Sequence, residues 1–68
     1  MAYAVSVTVR LRKRDYSGSS ITRVVSFDWS GELDDPMLRR HAVAMAQEPF
    51  PGWRGEVLST ESRPLTSD

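Results

Sequence analysis

From Tyr3 to Leu11 every odd position is apolar (Tyr3, Val5, Val7, Val9, Leu11), and the intervening positions hold Ala4, Ser6, Thr8 and Arg10, with Arg12 following. An apolar side chain at every second residue, most of them β-branched, cannot line one side of a helix. It describes a strand with one buried and one exposed face. A second segment has the same parity: Ile21, Val25, Phe27 and Trp29 are odd, and Thr22, Ser26 and Asp28 are even, with Arg23 and Val24 as the exceptions.

Shared parity restricts how the two strands join. Opposed residues of an antiparallel pair lie on one face, so odd must meet odd and the loop must contain an odd number of residues. Tyr16-Ser17-Gly18 satisfies this as a type I turn with a bulge, Asp15 preceding it and Gly18 in the left-handed region. The expected pairs are Val5 with Trp29, Val7 with Phe27, Val9 with Val25 and Leu11 with Arg23, and on the other face Arg10 with Val24 and Arg12 with Thr22. A five-residue loop is expected to keep the same register.

Ser30-Gly31 ends the second strand. Asp35-Pro36 then marks a helix start, because Asp accepts orphan amide hydrogens and Pro suits the first helical position. Glu32 and Asp34 add favourable charge at that end. Pro49 and Pro51 stop the helix near Gln47 or Glu48. Its expected apolar stripe is Leu38, Ala42 and Met45, flanked by Met37, His41 and Ala46, with Arg39, Arg40 and Gln47 on the wet side. Trp53 to Ser62 reads as a third strand whose facing is ambiguous, since Val57 and Leu58 are adjacent. The order β-β-α-β implies an α+β fold: a three-stranded antiparallel sheet of order 2-1-3, one helix packed on one face, reached by a right-handed crossover.

At 68 residues the chain is one small domain, read as residues 1–62 with a flexible tail over 63–68. A core this size is marginal by itself. There is no cysteine and a single histidine, His41, so neither disulfides nor a metal site of the usual Cys/His kind is expected, and no cofactor. With 40% hydrophobic and 26% charged residues the composition is that of a globular protein. No apolar run approaches the ~20 residues that span a bilayer, and the N-terminus lacks the order of a signal peptide, so the expected location is the cytoplasm, away from membranes. Eight of the nine basic residues are Arg, and Asn is absent, a codon usage of GC-rich bacteria or their phages.

Extended residues from Tyr3 to Asp15 span about 43 Å, whereas a twelve-residue helix covers about 18 Å. The helix is too short for the hairpin it shields, so either Phe50 and Trp53 fold over part of the remainder or another chain does, and a homodimer formed through the sheet face or an edge strand is the favoured expectation.

Zero net charge conceals a dipole. Residues 10–23 hold Arg10, Arg12, Lys13, Arg14 and Arg23 against Asp15, and the rest of the chain is correspondingly acidic. With Tyr16 at its tip, such a basic ribbon suits a nucleic-acid backbone or an acidic protein surface, or simply keeps an overhanging hairpin soluble. The proline-stiffened loop containing Phe50 and Trp53 offers aromatic anchors for a partner, or a lid for the core. Asp28, Glu32, Asp34 and Asp35 lack calcium-loop spacing and read as helix-start chemistry. His41 has no nucleophile signature to serve. The expectation is therefore a non-catalytic interaction module (an adaptor, inhibitor or phage-type accessory protein) that binds another macromolecule as a homodimer. The alternative is a nucleic-acid binder using the hairpin of residues 10–23.

Overall fold

The computed structural model describes residues 2–13 and 18–65. The elements run β1 (Tyr3–Arg12), β2 (Ser20–Trp29), α1 (Pro36–Gln47) and β3 (Arg54–Pro64). β1 is the central strand of an antiparallel sheet of order β2-β1-β3, with the helix across one face, as the alternation and the β-β-α-β order imply.

Odd residues of β1 and β2 share the helix side, as parity requires. The register within that parity differs from expectation by two residues: Tyr3 lies opposite Trp29, Val5 opposite Phe27, Val7 opposite Val25, Val9 opposite Arg23 and Leu11 opposite Ile21. On the other face Thr8 meets Val24 and Arg10 meets Thr22. The expected register would set Tyr3 opposite Gly31 and Ile21 opposite Lys13. The observed one gives both large side chains an apolar neighbour, and the cost falls on Arg23, which faces Val9. Lys13 N–H donates to Ser19 O (3.1 Å), which carries the pairing one step beyond Arg12 and Ser20. Gly18 has the anticipated left-handed backbone (φ 72°), whereas Asp15, Tyr16 and Ser17 of the expected turn lie outside the described residues.

Asp35 caps α1 as its sequence position suggests, with extended backbone and a side-chain oxygen accepting from Met37 N–H at 2.9 Å. The buried stripe is Leu38, Ala42 and Ala46; Met45 is half-buried beside it, while Met37 and His41 are exposed. Two alanines allow the helix to approach the sheet closely. At the far end the approach is tighter still, since a Cβ on Gly55 would stand 2.6 Å from Val43 Cγ1 and 3.5 Å from Leu11 Cδ2.

β3 resolves the ambiguity of Val57 and Leu58 with a bulge. Val57 pairs with Val9 and Ser59 with Thr8, leaving Leu58 as the extra residue. Below the bulge the odd residues Gly55 and Val57 share the helix side. Above it the facing reverses, with Thr60 and Ser62 opposite Val7 and Val5. The strand continues to Pro64, so Arg63 and Pro64, read from the sequence as tail, belong to the sheet.

The molecule is elongated, 49 × 18 × 17 Å, with a radius of gyration of 13.2 Å against about 11 Å for a compact chain of this length. Yet the apolar face of β1 is closed within one chain: Val5, Val7, Val9 and Leu11 are 0–1% exposed. The mismatch of lengths does not leave this face to a second molecule. β1 is ten residues long, about 33 Å, and the part beyond the helix is covered by half-buried Tyr3, Ile21, Phe27, Trp29, Phe50, Trp53 and Val57.

The Gly55 contact yields a test. Val43 is β-branched and helical, so its χ1 is restricted and Cγ1 cannot swing away. Gly55→Ala is expected to destabilise the fold by about 1–3 kcal/mol in denaturant unfolding, and Val43→Ala in the same chain to recover part of the loss.

Candidate functional site

The two faces of the sheet have separate chemistry. On the helix side, Arg23 is half-buried and reaches the end of α1, where its Nη1 donates to Ala46 O at 3.1 Å. Its guanidinium lies 5.8 Å from the centroid of the Phe50 ring. A cation at a helix C-terminus satisfies an orphan carbonyl and complements the helix dipole. The Phe50 and Trp53 rings meet at a tilt of 52° with centroids 5.3 Å apart, and Gln47 Nε2 donates to Trp53 O at 2.7 Å. Both rings are half-buried against the core.

Midway along α1, His41 meets Phe27 edge-on (4.7 Å between centroids) and stands 6.2 Å from Trp29. Trp29 Nε1 donates to Glu32 O at 3.0 Å, tying the loop after β2 to its last residue. Asp35 is the helix cap, Asp28 lies on the other face of β2, and among the described residues no three His, Cys, Asp or Glu side chains group to hold a metal ion.

Among the described residues the second face carries no helix. Across β2, β1 and β3 its rows read Asp28-Ala4-Arg63, Ser26-Ser6-Glu61, Val24-Thr8-Ser59, Thr22-Arg10-Glu56 and Ser20-Arg12-Arg54. Ser6 and Ser26 hydroxyls are 3.2 Å apart. A shallow depression of about 450 Å³ crosses the first two rows, lined by Ala4, Ser6, Ser26, Asp28, Glu61 and Arg63 among others. At the opposite end, toward the hairpin tip, Arg12 approaches Glu56 at 3.9 Å with both side chains largely exposed, a pair worth little in stability.

The basic residues of the hairpin are thus divided. Arg10 and Arg12 share the open face, Arg23 serves the helix on the other side, and Arg14 and Tyr16 lie outside the described residues. Lys13 follows at the tip end of β1. Arg54, which the sequence reading did not single out, sits beside Arg12 through the β1–β3 pairing and brings Glu56 with it. The signal for it lay in the facing of the third strand, which the bulge conceals.

Among the described residues no helix is long and apolar enough to cross a membrane. No protein-family model matches the chain, and neither does any curated protein or solved structure.

The division of the arginines is measurable. Arg23→Ala is expected to lower stability by about 1–2 kcal/mol through loss of the helix-end hydrogen bond and the Phe50 contact. Arg12→Ala should shift it by less than about 0.5 kcal/mol. Equal effects in thermal unfolding would contradict the assignment.

Proposed function

We propose that this protein is a small, non-catalytic interaction module that works in the cytoplasm as a homodimer and binds a further protein through the open face of its sheet. The observation that carries this reading is the one-sided architecture. The helix, the aromatic loop and Arg23 are all committed to the inner face, whereas among the described residues no element covers the second face. That face offers hydroxyls, an exposed Val24 and charges of both signs on a rigid support, a composition suited to polar recognition with an apolar centre. One end carries Asp28 and Glu61 beside Arg63, and the other Arg10, Arg12 and Arg54 beside Glu56. Phe50 and Trp53, half-buried in the lid of the core, form the second contact candidate.

A nucleic-acid reading is favoured by one finding, the addition of Arg54 to Arg10 and Arg12 on one surface. Tyr3, Phe27 and Trp29 all face the helix side, so among the described strand residues the open face has no ring on which a base would stack. Binding would rest on phosphate contacts and fall steeply with salt.

Capture from nuclease-treated lysate separates the readings. A protein retained by the natural chain is expected to be lost with Thr8→Arg, at the centre of the open face, and retained with Arg39→Ala on the exposed side of the helix. A prey list unchanged by Thr8→Arg would overturn the open-face reading. Loss in Trp53→Ala alone would move the site to the aromatic loop. Binding of random RNA or DNA at low ionic strength, abolished by Arg10→Ala with Arg12→Ala and Arg54→Ala, would replace the protein-binding reading with the nucleic-acid one.

A further inference from the structure

Both edges of the sheet have backbone groups without a strand beside them, but the two edges are unlike. The Lys13–Ser19 hydrogen bond identifies residues 13 and 19 as a bonded pair. Antiparallel alternation then directs the amides and carbonyls of odd β2 residues to β1, and those of Ser20, Thr22, Val24, Ser26 and Asp28 outward. On the far side, Leu65 N–H donates to Ala2 O (3.0 Å), so by the same alternation Thr60, Ser62 and Pro64 are the outward residues of upper β3.

β3 is blunted in three ways. It holds Arg54, Glu56, Glu61 and Arg63, it bulges at Leu58, and Pro64 has no N–H to offer at an outward position. Pairing β3 with its own copy at the fullest overlap that keeps faces together would oppose Arg54 to Arg63 and Glu56 to Glu61, like against like. β2 is far less protected, with Asp28 near its end as its one outward charge. It is ten residues without Pro, Gly or bulge; its one cation, Arg23, is folded inward to Ala46 O, and Val24 at its middle is 64% exposed.

We propose that β2 pairs antiparallel with β2 of a second copy about a twofold axis at Val24, joining two three-stranded sheets edge to edge. In this register Val24 faces its own copy, Thr22 faces Ser26, and Ser20 faces Asp28 on the open side. On the helix side half-buried Ile21 faces Phe27, and Arg23 faces Val25. No like charges oppose, the outward amides and carbonyls find partners, and the most exposed valine is covered. The proposal specifies the homodimer of the proposed function and rests on that reading; it leaves the open face free for the other partner.

Because the chain has no cysteine, a single introduced one reports on geometry alone. Cα atoms of a bonded antiparallel pair are about 5.5 Å apart, within disulfide range. Val24→Cys is expected to cross-link into a covalent dimer under mild oxidation. Ser59→Cys, in the matching row on the other edge across Thr8, is expected to form no covalent cross-link under the same conditions. By sedimentation the natural chain should run at twice its 7.7 kDa mass, and Val24→Lys should weaken association at least tenfold while leaving the unfolding transition of the protomer in place. A natural chain that remains monomeric at hundreds of micromolar would overturn the proposal, even if Thr8-dependent capture of a partner persists. A dimer indifferent to Val24→Lys, or equal cross-linking at residues 24 and 59, would overturn it as well.

Discussion

Burial of four side chains on one strand organises this molecule. Val5, Val7, Val9 and Leu11 lie on the single strand that has a neighbour on each side and a helix above it, and together they are almost wholly removed from water. At roughly 25 cal/mol per Å² of apolar surface, burying four such side chains supplies several kcal/mol, a large share of what a chain this short has available. Everything else is arranged around that row. The alanines of α1 and Gly55 of β3 let the helix lie close, and the aromatic residues extend its cover beyond its own ends.

Much of this was legible in the residues because it depends on local chemistry. Strict alternation identifies β1, parity identifies the shared face of β2, and Asp35-Pro36 with Pro49 encloses α1. Strand order follows from connection rules that hold for most proteins. What escaped was set by distant packing. The register moved by two residues because Tyr3 and Ile21 both gain apolar neighbours that way, a sum over ten pairs that no single turn residue announces. The helix stripe moved from Met45 toward Ala46 because close approach favours the smaller side chain.

The candidate site was legible only in part, for the same reason. Arg10 and Arg12 were evident as even residues of β1, but Arg23 looked equivalent in charge and proved opposite in role, since its parity sends it to the helix end. Arg54 and Glu56 joined the open face through a strand whose alternation is broken, so their facing could not be counted from either end. The adjacent Val57 and Leu58 that obscured the pattern are themselves the mark of the bulge.

In the proposed dimer that bulge, with Pro64 beyond it, would also limit how far assembly can proceed. A sheet with two receptive margins adds copies without end and grows into a fibre; a sheet with one can only meet its own likeness and stop. Under the proposed β2 pairing, deleting Leu58 would leave β3 with uninterrupted alternation and a straighter outer margin, removing one of the guards, beside its charges and Pro64, that keep such a particle finite.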